Sequence, residues 1–258
     1  MRIVVKVGTS TLAYGTGRMN IRHVEQLVKV LSDLKNAGHQ VVLVSSGAIG
    51  MGVGKLNLAK RPEDVPTKQA AAAVGQCELM YTYDKLFSEY NHTVAQILLT
   101  ADDVQDEVRR GHVENTLFRL LELDALPIVN ENDTVATEEL GIGDNDTLAA
   151  IVAVTAQADL LVLLTDIDGL YTCDPHTNAD ACLIQRVKEI TPEILALGGC
   201  KGSALGTGGM ATKLAAAKRA MAAGMDMVIA NGESPAVLYD IIEGKSVGTL
   251  FVGRRDGA

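Results

Sequence analysis

The 258-residue chain has no tryptophan and only three phenylalanines, so it lacks the flat rings on which unpaired bases stack, and a single-strand binding platform is excluded. Cysteine is scarce as well. Cys77, Cys173, Cys182 and Cys200 form no C-x-x-C pair and the five histidines form no H-E-x-x-H, which argues against a disulfide framework or a structural zinc site and for ordinary thiols in a reducing compartment. Long apolar runs are missing: the stretch 147–158 stops at about a dozen residues, short of the roughly 20 that cross a bilayer. At the start, Met1-Arg2-Ile3-Val4-Val5-Lys6 reaches a second charge and then Gly8 before a signal-peptide core can form, so a cytoplasmic protein without a membrane span is expected. An excess of basic charge is absent too. With 23 Lys and Arg against 32 Asp and Glu the net charge is −9, and nucleic-acid binding is not expected.

What is present is the balance of a globular protein with a large core, 47% hydrophobic and 21% charged. At roughly 150 residues per domain the length allows one large domain or two small ones. The charge is unevenly laid out. Residues 1–24 hold Arg2, Lys6, Arg18 and Arg22 without an acid, and residues 194–225 hold Lys201, Lys213, Lys218 and Arg219, again without an acid. Between them, residues 120–185 carry thirteen Asp and Glu and no Lys or Arg. Such a pattern suits a site that needs both signs: lysines for phosphates, and carboxylates for a cation or an ammonium-bearing substrate.

Apolar strands alternate with helices along the chain. Strands are expected at 2–7, 40–44, 93–99, 126–129, 160–164, 227–230 and 249–252. Helices are expected at 21–34 behind an Asn20 cap, 66–90, 113–123, 145–156, 210–223 and 235–243. This alternation predicts an α/β fold, a three-layer αβα sandwich with a mostly parallel central sheet. In such sheets ligands bind beyond the carboxyl ends of the strands. The polar segments Lys6-Val7-Gly8-Thr9-Ser10, Ser45-Ser46-Gly47, Asn130-Glu131-Asn132-Asp133 and Thr165-Asp166 all stand at those ends and are expected to meet in one crevice.

No G-x-x-x-x-G-K-[ST] string is present, so a Walker-type site is excluded. Gly206-Thr207-Gly208-Gly209-Met210-Ala211 matches G-x-G-x-x-[GA], but it follows a loop of Gly, Ser and Lys rather than a strand, and no ribose-binding acid stands at the end of the next strand. The better physical reading is a backbone nest whose N–H groups, with the positive end of the following helix, approach phosphate oxygens. Lys213 lies one turn into that helix and Lys6 at the end of the first strand. Two such lysines suit a phosphoryl-transfer transition state, whose catalysis is mainly positioning and electrostatic stabilisation.

These residues resemble a known family. Lys6-Val7-Gly8-Thr9-Ser10, Val44-Ser45-Ser46-Gly47-Ala48-Ile49, Val129-Asn130-Glu131-Asn132-Asp133, Gly143-Asp144-Asn145-Asp146, Leu164-Thr165-Asp166 with Gly169-Leu170-Tyr171, and Gly206 through Lys213 stand in the order found in the glutamate 5-kinase family of the amino-acid kinase superfamily. Related acetylglutamate, aspartate, carbamate and uridylate kinases share the lysines and the fold, but a Gly-Gly-containing second motif is expected of them and no Gly-Asp-Asn-Asp. The resemblance implies ATP-dependent phosphorylation of the L-glutamate γ-carboxylate, the first step of proline biosynthesis, with ATP and Mg²⁺ as cofactors. It implies Lys6, Lys213 and Asp146 as catalytic residues, Asp146 orienting the two lysines. Ser46, Gly47, Asp133 and Asn145 are implied to hold glutamate. Lys6, Thr165, Asp166, Thr207, Gly208, Gly209, Met210, Ala211, Thr212 and Lys213 are implied to bind the nucleotide, and no residue is assigned as a direct metal ligand. The family further implies a homo-oligomer (dimer or tetramer), feedback inhibition by L-proline and a functional link to glutamyl-phosphate reductase. A single amino-acid kinase domain over 1–258 is expected, with a substrate half at about 1–155 and a nucleotide half at about 156–258, and without the C-terminal PUA domain of many members. Gly141 stands where some members have a basic residue, which leaves the acidic segment without a compensating cation in sequence. Two other readings stand beside the kinase: a ligand-binding protein on the same fold without turnover, and an NAD-dependent oxidoreductase suggested by the glycines at 206–209.

Overall fold

The structure, a computed structural model, describes residues 1–136, 144–175, 177–199 and 209–253. Along the chain run β1 (Arg2–Val7), α1 (Thr9–Leu12), α2 (Ile21–Asn36), β2 (Gln40–Val44), α3 (Ala48–Lys55), α4 (Val65–Ser88), β3 (Val94–Leu99), α5 (Ala101–Gln105), α6 (Glu107–Glu122), β4 (Leu126–Glu131), α7 (Asn145–Thr155), β5 (Leu160–Thr165), β6 (Arg186–Val187), α8 (Pro192–Ala196), α9 (Met210–Ala222), β7 (Asp226–Asn231), α10 (Val237–Ile242) and β8 (Thr249–Phe251). The strands form one sheet in the order β3-β4-β2-β1-β5-β7-β8-β6. Neighbours are parallel except β7 with β8, so the expected three-layer α/β fold with a mostly parallel sheet is the one observed.

The period of two along β1 explains why Ile3, Val4, Val5 and Val7 are all apolar although they face two different layers. Ile3, Val5 and Val7 face the layer that holds Leu27, Leu31, Leu79 and Tyr83 of α2 and α4. Val4 faces the other layer, with Leu148 and Val152 of α7 and Leu214 and Ala217 of α9. Lys6 follows Val4 by two and so belongs to the α7/α9 side. At β1 the sheet order also reverses, β2, β4 and β3 lying to one side and β5, β7 and β8 to the other, which is the switch point where such sheets bind ligands.

Local chemistry sets several helix ends. The Asn20 side chain accepts from the His23 N–H (3.2 Å) and starts α2, while Gly38 at φ 92° ends the turn after it. The helix expected from residue 113 begins at Glu107 instead, because the Asp106 carboxylate accepts from the Arg109 N–H (2.9 Å). Its first turns are polar, which hid them from an apolar periodicity. The last expected helix is shorter than 235–243, and α1, α3, α5, α8 and β6 are too short for their periodicity to stand out. Helices α3 and α4 pack unusually close: a Cβ on Gly52 would stand 1.8 Å from the Ala71 carbonyl oxygen, and one on Gly75 1.8 Å from that of Ala48. Among the described residues no helix is long and apolar enough to cross a membrane.

Candidate active site

A cleft of about 880 Å³ opens at the carboxyl ends of β1, β2, β4 and β5. The four polar segments expected to converge do so. Lys6, Gly8, Ser46, Gly47, Asp133, Asn145, Asp146, Thr165, Asp166 and Lys213 all line it. Gly209, Met210, Ala211 and Thr212 form the N-cap and first turn of α9 and are not among its lining residues. Thr207 and Gly208, with Gly206, Gly143 and Gly141, lie outside the described residues.

At the floor of the cleft Asp146, 1% exposed, takes one lysine on each oxygen: Lys6 Nζ lies 2.6 Å from Oδ1 and Lys213 Nζ 3.0 Å from Oδ2. Both lysines are buried. The meeting follows from the alternation of β1, which turns Lys6 toward α7, and from the packing of α7 against α9. The Asp144 carboxylate caps α7 by accepting from the Thr147 N–H (2.8 Å) and hydroxyl (2.9 Å), so Asp146 falls in the first turn, at the positive end of the helix. Burial by itself raises the Asp146 carboxyl, but the two ammonium groups outweigh it and the net shift is downward. Two ammonium groups gathered on one buried carboxylate at the floor of a cleft are an arrangement suited to meeting the oxygens of a polyanion. Gly209 caps α9 with no side-chain hydrogen bond. The first-turn N–H groups of α9 therefore have no side-chain cap from that position.

A second group of polar residues lies at the turn after β2. Gly47 sits at φ 96°, a left-handed conformation that favours glycine, and this sharp turn lets α3 begin at Ala48. The Asn145 Nδ2 reaches Ser46 Oγ (2.7 Å), the Ser45 carbonyl (3.0 Å) and Asn130 Oδ1 (3.2 Å). Behind them Asn130 Nδ2 donates to Gln76 Oε1 (2.9 Å), and the hydroxyls of Ser45 and Tyr83 share a hydrogen bond of 3.0 Å. Burial pushes the Tyr83 hydroxyl well above its ordinary value.

Gln76 and Tyr83 were not foreseen as part of the site. Gln76 carried a readable signal, a polar residue spaced with Ala72, Leu79 and Tyr83 on the buried face of α4.

Asp133 stands apart from these groups. Burial, followed by the neighbouring charge of Glu131, raises its carboxyl from 3.8 to about 6, against the opposing charge of Arg61. Arg61, Lys60 and Lys68 line the same cleft. The acidic segment that lacks a cation in sequence thus gains cations in space, Lys60 and Arg61 from the segment before α4 and Lys68 from its first turn, none of them in either basic island. At the other end of the cleft the Thr165 hydroxyl donates to Asp166 (3.1 Å). Beyond it Asn231 Nδ2 (2.8 Å) and the Tyr171 hydroxyl (3.0 Å) both donate to Asp168, joining the ends of β5 and β7.

A parallel sheet with a switch-point cleft floored by a Lys–Asp–Lys cluster defines a class, and comparison bears it out: the model of the amino acid kinase family matches residues 1–231, and the chain belongs to that family. A carbamate kinase from Giardia lamblia bound to AMP-PNP shares the fold at a TM-score of 0.69 and 18% identity, each chain covered to 98%. Much nearer in sequence is the glutamate 5-kinase of Clostridium tetani, 56% identical across 96% of this chain and 93% of its own length. The glutamate 5-kinase of Clostridium perfringens is 54% identical across 98% of this chain and 96% of its own.

Proposed function

We propose that the protein transfers the γ-phosphoryl group of ATP to the γ-carboxylate of L-glutamate, forming L-glutamyl 5-phosphate and ADP, the first step of proline biosynthesis. The observation that carries this reading is Asp146 holding Lys6 and Lys213, residues from opposite ends of the chain, at the floor of the cleft. The glutamate γ-carboxylate oxygen attacks the γ-phosphorus, a new P–O bond forms, and the bond to the ADP oxygen breaks. The nucleophile has an ordinary pKa near 4.3 and is ionised at pH 7, so no general base is required. Charge spreads over the equatorial phosphoryl oxygens in the transition state, and the two lysines oriented by Asp146 stabilise it.

In this reading Lys6, Lys213, Thr165, Asp166 and the entry of α9 bind the nucleotide, Thr207 and Gly208 included. Ser46, the Gly47 N–H, Asn145 and Asp133 hold glutamate, Asp133 pairing with its ammonium, and Arg61 lies on the Asp133 side to receive the α-carboxylate. The sequence up to about 155 then forms the substrate half of one kinase domain and the remainder its nucleotide half. Mg²⁺ would accompany ATP and neutralise phosphate charge; both oxygens of Asp146 are engaged by lysines, so that carboxylate would not be among its ligands. We further infer a cytoplasmic homo-oligomer inhibited by L-proline, whose acyl phosphate product passes to glutamyl-phosphate reductase.

The test is acyl-phosphate formation trapped as hydroxamate with ATP and L-glutamate, with aspartate, acetylglutamate and carbamate as alternative acceptors. Lys6→Ala and Lys213→Ala are each expected to lose at least about 10²-fold in turnover, as for removal of one oxyanion-type donor. Near-normal turnover in either variant overturns the assigned roles. ATP-dependent stabilisation without ADP release would mark a binding protein instead.

A further inference from the structure

Behind the Ser46–Gly47 turn the side-chain amides form a chain whose direction is set at one end by the backbone. The Glu131 N–H can only donate, and it donates to Asn130 Oδ1 (2.9 Å). Asn130 must therefore turn its Nδ2 the other way, to Gln76 Oε1 (2.9 Å). Gln76 in turn must present its oxygen, which leaves its own Nε2 buried without a hydrogen-bond partner. Turning the Gln76 amide over would set one NH₂ against another. At the other end the Ser45 carbonyl and Asn130 Oδ1 both call for a donor, so Asn145 turns Nδ2 toward them and Ser46 Oγ, its two protons shared among three acceptors, and leaves its own buried Oδ1 without a partner. Ser46 Oγ is thereby an acceptor from the interior, and its own proton is left to point into the cleft that Ser46 lines. A hydroxyl with that polarity matches a carboxylate, which only accepts.

We propose that Gln76 is a positioning residue for the acceptor substrate: its Oε1 anchors the Asn130 amide, and through it Asn145, in the place from which Asn145 leaves Ser46 as a hydroxyl donor toward a carboxylate bound over the Ser46–Gly47 turn. Gln76 is not among the residues that line the cleft. The inference rests on the reading that Ser46 and Asn145 hold glutamate.

Steady-state kinetics of the full chain test it. Gln76→Met keeps length and bulk but removes the acceptor, leaving Asn130 Nδ2 unpaired and the Asn130 side chain without its anchor. The KM for glutamate is expected to rise about tenfold or more, the scale of one hydrogen bond to a charged group, with the KM for ATP unchanged. Gln76→Glu offers an acceptor in either protonation state and is expected to stay within about threefold of the wild type. A lowered melting temperature for Gln76→Met with an unchanged glutamate KM would mean a purely structural role and overturns the proposal. Equal impairment of the Met and Glu variants also overturns it. If the Met variant does not fold, NMR of the wild-type protein decides. A scalar coupling across the hydrogen bond from the Asn130 side-chain nitrogen to the Gln76 amide carbon is expected, and coupling in the reverse sense overturns the assignment. A wild type that forms no hydroxamate with glutamate would instead remove the functional reading, and the coupling would still report the polarity.

Discussion

Asp133 provides a test in which stability and function move in opposite directions. Its carboxyl is raised from 3.8 to about 6 in the folded protein, chiefly by burial and then by Glu131. Between those values the folded chain holds a proton that the unfolded chain has released, so this group makes stability fall as pH rises through the window. Above about pH 6 the full cost is present. The interval between 3.8 and about 6 corresponds to about 3 kcal/mol. Asp133→Asn is nearly isosteric and does not titrate. At pH 7 the substrate-free variant is therefore expected to be more stable than the wild type by about 2–3 kcal/mol, or about 5–10 °C in melting temperature, with the advantage shrinking toward pH 4.5. Glutamate binding should respond in the opposite sense. With its ammonium paired to the ionised carboxylate, as we propose, the wild-type KM for glutamate should fall as pH rises through about 6. The Asn variant should show a KM at least about tenfold higher and flat across this window. Urea unfolding and hydroxamate kinetics from pH 4.5 to 7.5 supply both readings. A variant no more stable than the wild type at pH 7, or one with the same KM profile, would refute the argument.

Three further perturbations probe the remaining parts of the site. Arg61→Ala removes the charge that opposes the rise of the Asp133 carboxyl, so the inflection in the glutamate KM profile should move to higher pH, which the same kinetics would detect. Asp146→Asn leaves two buried ammonium groups without their carboxylate; unfolding experiments on the ligand-free protein should show a loss of about 3–5 kcal/mol, partly restored by ATP. In the wild type the lowered Asp146 carboxyl contributes stability that is present above its ordinary value of 3.8 and is lost as pH falls through its folded value below that. Gly75→Ala places a methyl 1.8 Å from the Ala48 carbonyl oxygen and must force α3 from α4. A loss of about 1–3 kcal/mol or more in urea unfolding is expected, together with a raised glutamate KM, because α3 begins at the Gly47 turn.

The chain's local chemistry determined a large part of this protein. The alternation of apolar strands with helices was enough for the sheet and its two covering layers, since a parallel strand buried on both faces is apolar on both, as Ile3, Val4 and Val5 of β1 and 160–164 of β5 are. Strand ends carrying Gly, Ser, Asn and Asp marked the cleft, because in this architecture those ends share one edge of the sheet. Caps were legible where Asn20 preceded an apolar periodicity and illegible where Asp106 opened a helix with polar first turns. Pairing was another matter. That Asp146 orients Lys6 and Lys213 was implied by the family resemblance and not by the residues themselves, since one lysine on each oxygen of a carboxylate requires the face parity of β1 and the packing of α7 on α9. Gln76 reads as one polar residue on the buried face of an Ala-rich helix until Asn130, from β4, turns its amide. Arg61 belongs to neither basic island, yet the fold brings it to the acidic segment that sequence left without a cation. The division has a physical cause: periodicity, capping and turn chemistry act between residues a few positions apart and are written in order along the chain. Charge compensation and hydrogen-bond polarity act over a few ångströms between residues that only folding makes neighbours.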